Sequence, residues 1–331
     1  MKYVSLGDRR VSAIGLGTWQ FGSPEWGWGR DFGSDDARKV VHQALDSGIT
    51  FFDTAEIYGR GRSEEILGAA LRERDVEVMV ATKVWPTRIG ASAVVAAARR
   101  SLARLQRASL DLYQIHWPNP VVPLAWTMQG MRRLLDQRLV GSVGVSNFSA
   151  GRWARAETLL GSPVVSNQIP YSLVQRSPER SLLPYAVQSK RAIIAYSPLA
   201  QGLFSGAYGP GYIPSGARSW NPLFSAGRLV RAEALAAELQ VVGERHAAKP
   251  TQIALAWTIR SGNVIAIPGA RRDWQVAENA AAADIELSDE EAARIEAAAL
   301  PLQLGGGSLL LRGGRIARQV VETGLRRWTY R

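Results

Sequence analysis

The chain has 331 residues, a formal net charge of +11, no cysteine and three histidines. The lack of cysteine excludes disulfides, thiolate nucleophiles and cysteine-ligated zinc. Since His42, His116 and His246 are too scattered for a local metal motif, we expect no metal site. No apolar run approaches the roughly 18 residues of a membrane span, and the N-terminus lacks the apolar core of a secretory signal. We therefore expect a cytoplasmic protein with no membrane partner.

The first predicted element is a β-hairpin. In the segment YVSLGDRRVSA two short alternating runs flank Gly7 and Asp8, a typical hairpin pattern. The hairpin precedes the repeating units that follow, and we expect it to close the bottom of the fold.

Eight short apolar runs come next, and each is followed by a segment of helical period. In chain order they are AIGLG, TFFD, EVMVATK, DLYQIHW, GSVGVSN, VVSNQI, AIIAYSP and VIAIPG. Eight βα units predict an α/β fold of the (β/α)8 TIM-barrel type over residues 1–300. A doubly wound sheet is the alternative, but GLGTWQ places Gln20 where the third glycine of its fingerprint is expected. The barrel is therefore favoured.

Two segments lie outside the repeating pattern. Residues 201–228 are rich in Gly, Pro and Ser and predict a long loop, a type of segment that commonly carries function. Residues 301–331 form a basic C-terminal tail with no strand of its own, and we expect it to cover part of the barrel. Because the chain has no module that combines basic and aromatic residues, we expect no nucleic-acid partner.

Four reactive side chains follow consecutive strands. They are Asp53 and Tyr58 after the second run, Lys83 after the third and His116 after the fourth. Active sites of such barrels lie at the C-terminal strand ends, so the four should converge. An ammonium group held by a carboxylate would lower the pKa of the phenol, which predicts an acid-tuning set. The fitting reaction is proton delivery to a carbonyl, with a hydride that only a cofactor can supply.

The segment that follows Tyr58 predicts the start of a helix. Ser63 has the residue type of an N-cap, and Glu64 and Glu65 are typical of a first helical turn, where acids complement the helix dipole. We expect these three residues to be structural and not catalytic.

Several segments together resemble the aldo-keto reductase family. They are TFFDTAEIYGRGRSEEILGAAL, SLARLQ with DLYQIHWP, GVSNFS, NQIPYSLVQR, YSPLAQGLFSG and IPGARRDWQVAEN. The resemblance implies a barrel that binds NADP(H) and reduces small-molecule aldehydes and ketones. It assigns catalysis to Asp53, Tyr58, Lys83 and His116, with Tyr58 as the general acid. The alternative is a cofactor-sensing regulatory subunit that resembles potassium-channel β subunits, although the complete tetrad favours an enzyme. The oligomeric state stays open.

The resemblance also implies which residues hold the cofactor and the substrate. The carboxamide is assigned to Ser146, Asn147 and Gln168, the nicotinamide face to Tyr196, the pyrophosphate to residues 197–203 and the adenosine end to residues 269–279. The expected cofactor contacts are Thr18, Trp19, Asp53, Ser146, Asn147, Gln168, Tyr196, Ser197, Leu199, Gln201, Gly202, Gly269, Arg271, Arg272, Gln275, Glu278 and Asn279. The expected substrate contacts are Trp19, Tyr58, Trp85, His116 and Trp117.

Two arginines, and two positions at which this sequence differs from the family pattern, affect the expected choice of cofactor. Arg271 and Arg272 start a predicted helix after the eighth strand, where donors and the helix dipole favour a phosphate, so we expect NADP(H). Ala207 stands where many relatives have a lysine, and Gln275 where some have an arginine. Both departures weaken the expected preference for the phosphorylated cofactor.

Five tryptophans lie near the expected mouth of the barrel. They are Trp19, Trp26, Trp28, Trp85 and Trp117. Together they predict a wide aromatic pocket for apolar or ring-bearing carbonyls.

Overall fold

A computed structural model of the chain describes residues 1–74 and 76–304. The chain opens with the predicted hairpin, in which β1 (Tyr3–Leu6) pairs antiparallel with β2 (Arg9–Ser12). Val4 and Val11 face each other in this pair, and both are buried. Gly7 at the turn lies against Val165, near the start of a barrel strand. The hairpin therefore closes the N-terminal end of the barrel, as the sequence predicts.

Eight parallel strands form the barrel, each hydrogen-bonded to the next in chain order. They are β3 (Leu16–Gly17), β4 (Phe51–Asp53), β5 (Met79–Val84), β6 (Leu110–Ile115), β7 (Val140–Ser146), β8 (Val164–Pro170), β9 (Ala192–Tyr196) and β10 (Val264–Ala266). Backbone bonds close the ring: Gly15 N donates to Ala266 O at 2.8 Å, and Ala266 N donates to Ala13 O at 2.8 Å. The (β/α)8 prediction is confirmed.

Ten α-helices are found within the described residues, most of them packed around the barrel. They are α1 (Ser34–Asp46), α2 (Arg62–Arg72), α3 (Ala91–Leu105), α4 (Leu124–Asp136), α5 (Ala150–Leu160), α6 (Leu182–Gln188), α7 (Ala226–Arg245), α8 (Pro250–Thr258), α9 (Asp273–Ala281) and α10 (Asp289–Ala299). Helix α3 illustrates the pattern, because Val94, Ala98, Leu102 and Leu105 lie at helical spacing and are buried. Each such large apolar side chain contributes about 1.5–3 kcal/mol when it is removed from water.

The predicted start of α2 is wrong in its details. The N-cap is Gly61, whereas Ser63 lies inside the helix and its Oγ donates to Thr18 O at 2.9 Å. Glu64 is fully buried, where it accepts hydrogen bonds from Thr82 Oγ1 at 2.5 Å and Arg104 Nε at 2.6 Å. These polar groups are buried, so they bond to partners in the protein instead of capping a helix in solvent. Glu65 is exposed in the first turn, as predicted.

The long loop and the end of the barrel complete the fold. Residues 201–228 contain three 3-10 segments, Ala200–Ser205 in part, Gly216–Trp220 and Pro222–Phe224. At the C-terminal end Leu302 and Leu304 are buried in the core, so the packed chain continues past residue 300. Residues 305–331, nearly all of the predicted tail, lie outside the described residues. No helix in the described chain is long and apolar enough to cross a membrane.

Candidate active site

The C-terminal strand ends bring the four predicted catalytic side chains together. Strand β4 ends at Asp53, Lys83 is the penultimate residue of β5, His116 follows β6, and Tyr58 opens a 3-10 turn after β4. Lys83 Nζ donates to Asp53 Oδ1 at 2.5 Å and lies 3.3 Å from Tyr58 OH. The rings of Tyr58 and His116 meet edge to face, with centroids 5.7 Å apart. A phenol and an imidazole thus stand side by side above a buried ammonium.

Two amides complete the surroundings of Asp53. Its Oδ2 accepts hydrogen bonds from Gln168 Nε2 at 2.7 Å and from Gln114 Nε2 at 3.4 Å. Gln168 is in the predicted set, but Gln114 is not. The signal for Gln114 was available, because Leu112, Gln114 and His116 alternate along β6 and so point to one face of the strand.

Burial dominates the protonation of the phenol and the imidazole. It raises the pKa of Tyr58 well above the ordinary value, and the Asp53 carboxylate raises it further. The expectation that the lysine lowers the pKa of Tyr58 is therefore wrong, because burial outweighs it and Lys83 is paired more closely with Asp53. Burial also lowers the pKa of His116 well below the ordinary value, and Lys83 adds to this shift. The site holds a protonated phenol next to a neutral imidazole.

A chain of hydrogen bonds links the residues that were assigned to the nicotinamide. Tyr196 OH donates to Asn147 Oδ1 at 2.9 Å, and Asn147 Nδ2 donates to Ser146 Oγ at 2.9 Å. Ser146 Oγ in turn donates to Gln168 O at 2.9 Å. Since Gln168 also contacts Asp53, this polar row adjoins the tetrad directly.

The loop after β9 has the backbone shape of an anion-binding turn. Ser197, Ala200, Gln201 and Gly202 all have positive φ angles, between 48° and 92°. The left-handed region costs a non-glycine residue about 1–2 kcal/mol, so the fold must impose this shape. Successive backbone N–H groups in such turns form concave anion sites. Gln201 Oε1 is buried without a hydrogen-bond partner in the described part of the chain; it is an acceptor and needs a donor, so it does not itself contribute to an anion site.

One further cation adjoins this loop and was not in the predicted set. Arg218 Nε donates to Gln201 O at 3.0 Å, and its guanidinium lies 4.8 Å from the centroid of the Tyr208 ring. Its position in the Gly- and Ser-rich loop gives no sequence signal for this contact.

The two arginines after β10 pair with Asp36 in the first turn of α1 and with Asp31 in the loop before it. Arg272 NH1 donates to Asp36 Oδ1 at 2.6 Å, and Arg271 NH1 lies 3.6 Å from Asp31 Oδ2. Gln275 Oε1 accepts the backbone N–H groups of both arginines, at 2.9 and 3.1 Å. The side chains of both ion pairs are exposed to solvent, so the pairs are weak and can be exchanged for a phosphate.

Other predicted contacts have structural partners. Thr18 Oγ1 and Thr18 N both donate to Asp53 O at 2.9 Å, and Thr18 O accepts from Ser63 Oγ and Phe21 N, so every polar group of Thr18 already has a partner in the protein. Glu278 pairs with Lys249. A Cβ on Gly269 would lie 1.9 Å from Gln20 Nε2, so a larger side chain at this position would displace Gln20.

Two tryptophans flank the reacting groups. The ring of Trp19 stacks on Tyr58 with centroids 6.2 Å apart, and the ring of Trp85 meets His116 edge to face at 5.2 Å. Trp28 instead packs against core phenylalanine side chains. The aromatic wall of the mouth is therefore narrower than five tryptophans predict.

The comparison with protein families agrees with this geometry. The model of the Aldo/keto reductase family matches residues 13–300. The chain belongs to this family. This aldo/keto reductase is 50% identical over 289 residues to an uncharacterized oxidoreductase of Mycobacterium tuberculosis, a match that covers 87% of this chain and 90% of the relative. It is 35% identical over 295 residues to the aldo-keto reductase YhdN of Bacillus subtilis, covering 83% and 87% of the two chains.

Solved structures support the same assignment. The aldo/keto reductase described here superposes on a glycerol dehydrogenase from Gluconobacter oxydans with a TM-score of 0.81 at 28% identity, covering 92% of this chain and 98% of the other. It also superposes on an aldo-keto reductase from Klebsiella pneumoniae in complex with NADPH, with a TM-score of 0.74 at 31% identity over 92% and 96% of the chains. The recognition of the family from its motifs is confirmed, and the protein is an oxidoreductase by family.

Proposed function

We propose that this protein reduces aldehyde or ketone carbonyls to alcohols with NADP(H), and that Tyr58 delivers the proton. The observation that carries the proposal is the arrangement of Lys83, buried between Asp53 Oδ1 and Tyr58 OH, beside a neutral His116. When bound, the cofactor supplies the hydride that no side chain can provide.

The residues around the tetrad fit a nicotinamide dinucleotide. The hydroxyl and amide row of Ser146, Asn147 and Gln168 offers partners to a carboxamide. In the left-handed loop at residues 197–202, Ala200 N and Gly202 N already donate to Ser197 O and Leu199 O, so the N–H groups of Ser197, Leu199 and Gln201 are the donors we assign to a diphosphate. Arg271 and Arg272 supply the charge for a 2′-phosphate, which favours NADP(H). The Klebsiella pneumoniae relatives solved with NADPH and NADP support this choice.

Each side chain of the tetrad has a separate task in this proposal. Tyr58 is protonated and donates its hydrogen bond, then its proton, to the carbonyl oxygen. The ammonium of Lys83 stabilises the phenolate that results, and Asp53 keeps the ammonium in place. His116 is neutral, so its imidazole can orient the carbonyl by a hydrogen bond without adding a second charge.

The direct test is the Tyr58→Phe variant. It removes the proton donor and leaves the ring contacts with Trp19 and His116, so we expect cofactor binding to persist while carbonyl reduction falls about 10²–10⁴-fold. The measurements are NADPH oxidation over a panel of aldehydes and ketones, and cofactor affinity from tryptophan fluorescence.

A matched control removes a phenol far from the tetrad. Tyr185 OH donates to Glu157 at 2.8 Å, so Tyr185→Phe loses one hydroxyl in the same way and should keep full turnover. Turnover in Tyr58→Phe that stays within about tenfold of the wild type would exclude Tyr58 as the general acid.

A further inference from the structure

Glu56 is a nearly buried carboxylate that lies between the strand end at Asp53 and the turn at Tyr58. Its side chain is only 4% exposed. A buried carboxylate is costly unless it is paired and hydrogen-bonded, so its partners indicate what it does. They all belong to the segment that leaves the neighbouring strand β5.

The contacts of Glu56 connect the turn that precedes Tyr58 to the segment at residues 83–88, and both lie at the mouth of the barrel. Oε1 accepts the backbone N–H of Trp85 at 2.8 Å and Arg88 Nε at 3.3 Å, and Oε2 accepts Arg88 NH2 at 3.2 Å. In addition, the backbone N–H of Glu56 lies 3.4 Å from Lys83 O. The turn that carries the phenol is thus joined to residues 83–88 by backbone and side chain.

The segment held in this way forms one wall of the mouth. The ring of Trp85 meets His116 edge to face at 5.2 Å. Trp85 and Arg88 also line a cleft with Trp117 and Asn119. A carbonyl that bears a ring must contact this wall while its oxygen reaches Tyr58, whereas a two- or three-carbon aldehyde needs only the tetrad.

We propose that Glu56 is a positioning residue that fixes the Trp85 wall relative to Tyr58 and thereby sets the selectivity for ring-bearing over small carbonyls. The inference rests on the proposed function, because selectivity requires carbonyl turnover. A purely structural role predicts instead that loss of Glu56 affects all substrates alike.

Three variants separate the contacts. Glu56→Ala removes the hydrogen bonds of the carboxylate to Trp85 and to Arg88. Glu56→Gln keeps an acceptor for the Trp85 N–H. Arg88→Met removes the ion pair, while the Glu56 carboxylate still accepts the Trp85 N–H. We expect Glu56→Ala to lower kcat/KM for benzaldehyde by about tenfold or more, mainly through KM, and that for propanal by less than about threefold. Glu56→Gln should stay close to the wild type in the ratio of the two substrates, because it keeps the acceptor for the Trp85 N–H. Arg88→Met, which also alters the cleft, should change this ratio less than Glu56→Ala does.

A second readout does not depend on turnover. Hydrogen exchange of the Trp85 backbone amide should be faster in Glu56→Ala than in the wild type, and unchanged in Arg88→Met. NADPH affinity should be the same in all variants. If Glu56→Ala does not fold, the double variant Glu56→Met with Arg88→Met replaces it, since it keeps the volume and leaves no guanidinium without its partner.

The outcomes distinguish the inference from the proposed function. Equal losses for benzaldehyde and propanal, or unchanged exchange of the Trp85 amide in Glu56→Ala, would overturn the inference alone. A wild-type protein that reduces neither aldehyde nor any other carbonyl would overturn the proposed function, and with it the role of Glu56 in selectivity. Faster exchange together with a selective loss for benzaldehyde supports both.

Discussion

At the residue level, the proposed preference for a phosphorylated cofactor rests on Arg271 and Arg272. A 2′-phosphate can form charge-assisted hydrogen bonds with these side chains that a bare ribose hydroxyl cannot, and each is worth about 1.5–3 kcal/mol. We therefore expect Arg272→Ala or Arg271→Ala to weaken NADPH binding about tenfold or more while NADH binding barely changes. Cofactor dissociation constants measured by tryptophan fluorescence at fixed ionic strength test this.

Asp36 supplies the matched control for this experiment. Because Arg272 pairs with Asp36, Asp36→Asn removes a competing charge and should tighten NADPH binding without affecting NADH binding. If neither arginine variant narrows the preference for NADPH over NADH, the phosphate assignment is contradicted and the arginines serve only their surface ion pairs.

The sequence predicted the reacting side chains better than their surroundings. Asp53, Lys83 and His116 stand at strand ends, where the barrel topology alone dictates convergence. Glu56 was missed because a buried carboxylate looks like any polar residue until its neighbours are known, whereas the alternation of Leu112, Gln114 and His116 would have found Gln114. The direction of the Tyr58 pKa shift was wrong for a related reason, since the extent of burial is a property of the folded chain.

At the scale of secondary-structure elements, helices α2 and α3 are joined by a buried ion pair and by close backbone packing. Glu64 on α2 is fully buried and pairs with Arg104 on α3. Close packing accompanies the pair, because a Cβ on Gly68 would lie 2.5 Å from Leu105 O. The two helices are thus held by an ion pair and by direct backbone contact.

Arg104→Met should destabilise the fold because it leaves the Glu64 carboxylate buried without its cation. Removing one partner of a buried pair costs about 3–5 kcal/mol. Arg100→Met, on the exposed side of α3, should change the free energy of unfolding by no more than about 0.5 kcal/mol. Urea denaturation of both variants measures the difference. Equal stability of the two would show that Glu64 does not depend on Arg104.

Periodicity predicted which elements exist but not how they meet. The hairpin and all eight strands follow from alternating or apolar runs in the sequence. Ser63 was interpreted as the helix N-cap and Glu64 as a first-turn acid; Glu64 does lie in the first turn, but local spacing does not distinguish a solvent-exposed acid from a buried one. The partner of Glu64 lies 40 residues away in the chain, beyond the reach of any local pattern.

At the scale of the whole molecule, the described chain remains packed for a few residues past the end of α10. Leu302 and Leu304 are buried, and Leu304 N donates to Val174 O at 3.0 Å. Truncation after residue 300 should therefore lower the free energy of unfolding by about 3 kcal/mol or more relative to truncation after residue 304. Thermal and urea unfolding of both truncated proteins test this. Similar losses in both would contradict it.

Truncation after residue 304 also tests the prediction that residues 305–331 cover part of the barrel. The described chain ends beside the loop that follows β8, at the same end of the barrel as the tetrad, which supports a position near the mouth. Loss of these residues should change KM for bulky carbonyls more than for small ones. Equal changes for all carbonyls would exclude a role at the pocket.

The bonds that join Ala13 and Gly15 to Ala266 have a consequence for synthesis of the protein. Because the two sides of this seam are about 250 residues apart, a ribosome must translate most of the chain before the ring can close. Until then the nascent sheet has two open edges, and such edges pair readily with other chains. The N-terminal strand of this barrel is the first to be made and the last to gain its second neighbour, so the growing polypeptide depends on protection from aggregation throughout its translation.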